Sequence, residues 1–337
     1  MSSDELVGPR GQLAVAVGDP AGGVGRPADE HPLVADRDVG VMVGGLGGVG
    51  EAVDERDRGR EAVEDELLLQ RPVDFRPGFH RREYRRYRGS LKPGPTQELL
   101  CEVLYRPVAH SVVLALLPLR VPPPAVVLTA SATGIAAAVE IARGQFAVAA
   151  ALLLVKTVLD NADGQLARAS GRVTPLGRYL DSESDLFVNA ALFAGLGWAT
   201  QAPGLAAAAF VVLTAVLSVN FNLRRLYLAE RGHAAEAMPE GGGFLRRLYE
   251  VVYAPQDRLV DRFVAWRLRG RDEAARLRYH DRATIVVLHN LGLSGQMTAL
   301  AICLALGRPR LDFWIVLACG LLLVPLELRR GFRAARP

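Results

Sequence analysis

The stretch Leu159-Asp160-Asn161-Ala162-Asp163-Gly164-Gln165-Leu166-Ala167-Arg168, followed after eight intervening residues by Gly177-Arg178-Tyr179-Leu180-Asp181-Ser182-Glu183-Ser184-Asp185, places four aspartates in two regular clusters. Asp160 and Asp163 are three apart, so they share one face of a helix. Gly164 and Ala167 extend that face. Gly177, Asp181 and Asp185 are spaced by four and share a face as well. Between the clusters, Ser170-Gly171 breaks the first helix. Thr174 is a good N-cap and Pro175 a good first residue for the second helix. The expected product is a helical hairpin with two carboxylates on each arm, facing one another.

Such a cluster is costly at the edge of a bilayer. A central Asp costs about 2.5–3.5 kcal/mol on insertion scales, and crowding like charges adds to that. Lys156 and Arg168 supply too little positive charge to offset four carboxylates. Hard divalent cations bound by oxygen fit better. Two of them, about 3.5–4 Å apart, are a recurring arrangement for displacement at phosphorus. The small residues Gly164, Ala167 and Gly177 then clear a wall for a ligand to approach the backbone. Taken singly, each residue has a plainer reading, with Gly and Ala permitting close helix packing and each Asp pairing with an arginine. All eight together, on both arms of one hairpin, favour the metal reading.

The surroundings are those of a membrane protein. Of 337 residues, half are apolar and 23% charged, and from Pro122 onward apolar runs alternate with Arg-rich connectors. Six spans are expected, at about 123–142, 146–167, 176–199, 204–224, 284–306 and 312–328. Arginines concentrate after the second span (Arg168, Arg172, Arg178), through Arg224 to Arg282, and in the tail from Arg329 to Arg336. The positive-inside rule then puts both termini and the aspartate block on the cytoplasmic side. The net charge of +4 is modest, and the arginine-rich connectors suit anionic lipid headgroups better than nucleic acid, which is not expected as a partner. Cys101, Cys303 and Cys319 show no metal-ligand spacing and read as free core thiols.

Residues 1–75 are low in complexity, with no sustained period, and are expected to be disordered. Alternatively, the true start lies downstream and this stretch is spurious translation. Residues 76–121 are basic and aromatic at first, from Arg81 to Arg88, and read as a juxtamembrane segment. Leu99, Leu100, Val103 and Leu104 then recur at helical spacing, so a helix lying in the membrane interface is expected, bent or ended by Pro107. The membrane domain spans 122–337. Its 231–282 connector carries amphipathic stretches and is expected on the cytoplasmic membrane surface, or else as a partner-binding insertion.

The spacing Asp-x2-Asp-Gly-x2-Ala-Arg-x8-Gly-x3-Asp-x3-Asp resembles the signature of the CDP-alcohol phosphotransferase (phosphatidyltransferase) family, and Asp160, Asp163, Gly164, Ala167, Arg168, Gly177, Asp181 and Asp185 fill it without a gap. The six-span layout resembles that family's too. The resemblance implies an all-α polytopic membrane enzyme. Asp160, Asp163, Asp181 and Asp185 would hold two divalent metal ions, Mg or Mn. Gly164, Ala167, Arg168 and Gly177 would line the CDP site. Asp185 would take the proton from an acceptor hydroxyl, whose oxygen attacks the β-phosphorus as CMP leaves. The donor implied is CDP-diacylglycerol or a similar CDP-alcohol, with the alcohol acceptor left open. Homodimers are common in the family, though nothing in the sequence itself points to one. The family often carries a Pro-Asn pair where this chain has Val121-Pro122-Pro123-Pro124, which puts any contact of that Asn in doubt.

Lesser features have two readings each. Lys156 pairs with Asp160 or meets a substrate phosphate. Arg224 and Arg225, with Asn220 and Asn222, bind a phosphorylated acceptor or headgroup, or simply end the fourth span as positive-inside residues. His289 and Asn290 within the fifth span are functional candidates or satisfied interhelical partners. Glu183 should point away from Asp181 and Asp185. Two rival functions follow from the same carboxylates. An intramembrane prenyltransferase would not need the Gly-x2-Ala-Arg continuation. A divalent-cation transporter would line a route across the membrane, whereas these carboxylates gather at one face.

Overall fold

The computed structural model describes Tyr87 and residues 89–91, 98–232 and 243–336. The expectations for 1–75 and for the basic run Arg81 to Arg86 lie outside the described residues. No strand occurs among the described residues. A π-helical turn, Cys101–Tyr105, leads directly into α1 (Arg106–Leu116). Then come α2 (Pro123–Ala142), α3 (Phe146–Ala169), α4 (Pro175–Thr200) and α5 (Pro203–Ala229). The connector holds α6 (Gly243–Val252), α7 (Ala254–Arg267) and α8 (Glu273–Tyr279). Helices α9 (Arg282–Asn290), α10 (Leu293–Ala305) and α11 (Arg310–Ala334) complete the order.

Among the described residues, four stretches are long and apolar enough to cross a membrane: Pro123–Ala142, Pro203–Ala229, Glu273–Ala305 and Arg310–Ala334. Six were expected. The other two, α3 and α4, carry the aspartate block and its neighbouring charges, which lower their apolar character. The fifth expected span, 284–306, is not one continuous helix. It divides at Leu291-Gly292, where Gly292 is extended and caps α10. Asn290 explains part of the break, since its Oδ1 accepts from the Leu99 backbone N–H at 3.1 Å and ties the N-terminal segment to this corner.

That segment also departs from expectation. Pro107 does not end the helix. The backbone widens into the π-turn just before it, and Pro107 sits at the start of α1, where no N–H is needed. Leu99, Leu100, Val103 and Leu104 are exposed, while Cys101, Glu102 and Tyr105 are buried. The polar face packs inward: Cys101 Sγ lies 3.0 Å from Ser294 Oγ, and the Tyr105 hydroxyl is 2.6 Å from Thr298 Oγ1. The apolar face is left exposed.

The core forms where α2, α3, α4, α5, α10 and α11 meet, with Ile141, Leu153, Leu192, Leu213, Leu304 and Phe313 buried together. Helices α2 and α4 approach closely because α4 has a glycine there. A Cβ on Gly195 would lie 2.5 Å from the carbonyl oxygen of Ala138. This is the small-residue packing expected where lipid supplies no hydrophobic drive between helices. The connector helices pack on the bundle, α6 on α4, α7 on α5 and α8 on α11.

Candidate active site

The hairpin forms as its sequence dictates. Helix α3 closes at Ala169, and Gly171 turns the chain with φ +66°, in the left-handed region that glycine enters freely. Thr174 is extended and caps α4: its Oγ1 accepts from the Gly177 N–H at 3.1 Å, and Pro175 follows in the first turn. The two arms therefore run side by side with their carboxylates converging.

Oxygen atoms of Asp160, Asp163 and Asp181 all lie within 4.8 Å of one another. Asp163 is 6% exposed, and its Oδ2 is buried with no hydrogen-bond partner among the described residues. An unpartnered buried carboxylate oxygen is costly. Three converging carboxylates form an all-oxygen donor set of the kind hard divalent cations prefer. The residues present therefore fit the metal the sequence called for.

The fourth aspartate is held differently. Lys156, buried at 1% exposure, forms an ion pair with Asp160 one turn later on its own helix, and its Nζ is 2.6 Å from Asp185 Oδ1 on α4. It thus joins the two arms, serving one carboxylate on each. Simple pairing with Asp160 is one part of its role, and the link to Asp185 is the part that spacing alone did not reveal.

Gly164 and Arg168 also work together. A Cβ on Gly164 would sit 3.3 Å from both terminal guanidinium nitrogens of Arg168. The cleared wall is occupied by an arginine folded back over the preceding turn. Arg168 Nε donates to the Ser90 carbonyl at 2.5 Å, and Gln165 Nε2 donates to the Arg106 carbonyl at 3.0 Å, so the N-terminal segment is fastened beside the site. Ala167 is half-buried on the same arm.

Of the candidate acceptor residues, Arg225 is engaged elsewhere. Its Nη2 donates to Asp261 Oδ1 at 2.5 Å and to Asn222 Oδ1 at 3.0 Å. Arg224 lies within electrostatic range of Arg106. Glu183 is buried, and both of its carboxylate oxygens lack a hydrogen-bond partner among the described residues.

Three residues near the carboxylates were not anticipated. Asn189 continues the 177–181–185 spacing by another four, a signal that was present but polar rather than charged. Tyr253 and Asp257 arrive from the connector, about seventy residues away, with no local signature. The Tyr253 hydroxyl donates to the Ser182 carbonyl at 3.2 Å. Burial, and then the nearby Glu183, Asp185 and Asp181 charges, push its phenol well above the usual tyrosine range. The hydroxyl therefore stays protonated and remains a donor at any ordinary pH.

Residues 120–248 match the family model described as CDP-alcohol phosphatidyltransferase. The matched range runs from the residue before Val121 into α6 and contains the complete aspartate block. No curated protein and no solved structure matches the chain.

Proposed function

Residues 120–248 match the CDP-alcohol phosphatidyltransferase family model, and from that match we propose that the chain moves a phosphatidyl group from CDP-diacylglycerol, or a similar CDP-alcohol, to a hydroxyl acceptor in phospholipid synthesis. The observation that carries the reading is the convergence of Asp160, Asp163 and Asp181 within 4.8 Å. With Asp185 they would hold two divalent ions, Mg or Mn. When bound, such ions neutralise charge on the diphosphate and on the departing CMP.

The chain's own residues do the rest. Gly164, Ala167, Arg168 and Gly177 line the side on which the CDP moiety binds, with Arg168 held in place by the Ser90 carbonyl. Asp185 accepts the proton of the acceptor hydroxyl, and Lys156 fixes that carboxylate's position from the neighbouring arm. The acceptor oxygen forms its bond to the β-phosphorus. The bond from that phosphorus to the bridging oxygen breaks, and the electron pair leaves with CMP. Helix α1 and its π-turn rest at the membrane surface, and arginine placement puts the hairpin on the cytoplasmic side.

The donor tests this reading. Purified protein in detergent with Mg is offered CDP-diacylglycerol or a prenyl diphosphate, each with a panel of alcohols. CMP release from the CDP-alcohol is expected. Turnover of the prenyl diphosphate alone would overturn the assignment.

A further inference from the structure

Beside Asp185, helices α4 and α5 and the connector enclose a cavity of about 260 Å³. Its polar lining includes Asp185, Asn189, Ser218, Tyr253 and Asp257, and Leu217 and Phe221 contribute apolar wall. The residue proposed to take the acceptor's proton therefore faces this space directly.

Two features say what would fill it. The first is unmet hydrogen-bonding capacity. Asn189 is only 5% exposed, and its Oδ1 is buried with no partner among the described residues; Ser218 Oγ is buried in the same condition. Buried polar atoms are rarely left so, and a carbonyl oxygen and a hydroxyl lining one cavity are suited to a ligand that brings hydroxyl donors. The second feature is charge. No Arg, Lys or His is among the lining residues described, and two carboxylates are. Lys156, which touches Asp185, is already shared with Asp160. Asp257 is set by its own network, accepting from Asn222 Nδ2 at 2.7 Å, while Asn222 Oδ1 accepts from Arg225 at 3.0 Å. Arg225 thus serves the cavity at one remove and does not enter it.

A phosphate monoester carries about two negative charges at neutral pH. Here, beyond any metal ions held at Asp185, it would meet Asp257 and no Arg, Lys or His among the described lining residues, in a partly buried space where water screens poorly. We propose that this cavity is the acceptor subsite and that the acceptor is a small alcohol without a phosphate group, oriented by Asn189 and Ser218 with its reacting hydroxyl toward Asp185. This rests on the phosphatidyltransferase reading above and narrows it. The reacting hydroxyl gives its proton to Asp185 as its oxygen bonds to phosphorus and CMP departs.

The test uses the full-length protein in detergent with Mg and CDP-diacylglycerol. One arm offers glycerol, inositol and serine; the other offers glycerol 3-phosphate and inositol phosphate. CMP release with a phosphate-free alcohol, at least about tenfold above its phosphorylated counterpart, is expected. CMP release with the phosphorylated arm alone would overturn this inference and leave the phosphatidyltransferase reading intact. Release with neither arm would overturn both. In the second measurement, Asn189→Leu should raise the acceptor KM about tenfold. The rise in melting temperature on adding CDP and Mg should match the wild-type rise. An unchanged acceptor KM would remove Asn189 from the subsite.

Discussion

Lys156 is enclosed between two carboxylates on different helices. Its charge offsets part of a cluster that would otherwise be strongly repulsive. Removing one partner of a buried ion pair leaves uncompensated charge and costs about 3–5 kcal/mol. Lys156→Met should therefore lower stability by about that amount in thermal melts of the detergent-solubilised protein. Added Mg should recover more of the melting temperature in the variant than it adds to wild type, because the orphaned carboxylates gain a cation. Equal Mg responses in the two proteins would argue against a shared cation site. At this scale the sequence was legible where residues repeat: the aspartates at three and four apart identified their own faces. The link from Lys156 to Asp185 was hidden because it crosses between helices. Gly164 was legible as a clearing, but only the structure shows that the side chain filling it is Arg168.

The hairpin was the most readable element, since cap, proline and glycine each carry a local conformational preference that nothing else in the fold opposes. The N-terminal segment and the fifth span were less readable. Their irregularities, the π-turn before Pro107 and the break at Gly292, are fixed by contacts such as Leu99 to Asn290, 191 residues apart. Such pairings leave no period in the sequence. The close crossing of α2 and α4 gives an element-scale prediction. Gly195→Val would drive a side chain into the Ala138 carbonyl, and backbone cannot move aside cheaply. A loss of about 2–3 kcal/mol is expected, read as a lowered melting temperature. An unchanged melting temperature would mean that the two helices are not packed this way.

Across the whole molecule, the charges divide the chain more plainly than the hydropathy does. Among the described residues, four stretches have the length and composition of spans. The two helices that carry the aspartate block are polar at the end where they meet. The arginine-rich connectors lie next to that end, and the short loops such as Arg308-Pro309-Arg310 lie at the other. The native cysteines Cys101, Cys303 and Cys319 are all buried, so introduced thiols can report topology against a quiet background. Arg336→Cys should react with a membrane-impermeant maleimide only after cells are opened, and Arg308→Cys should react in intact cells. The reverse labelling pattern would place the site on the outer face. The connector is where whole-molecule organisation exceeded the sequence. Its amphipathic stretches suggested a surface element, yet Tyr253 and Asp257 turn it into a wall beside Asp185.

The proposed chemistry is a metal-dependent displacement on a CDP-alcohol, run by these four aspartates. The most direct measurement is CMP release from radiolabelled CDP-diacylglycerol, with Mg and with chelator, for wild type and Asp185→Asn. Wild-type release should require the metal. Asp185→Asn should lower it by about a thousandfold while remaining folded in detergent. Undiminished release by Asp185→Asn, or by wild type in chelator, would rule that chemistry out.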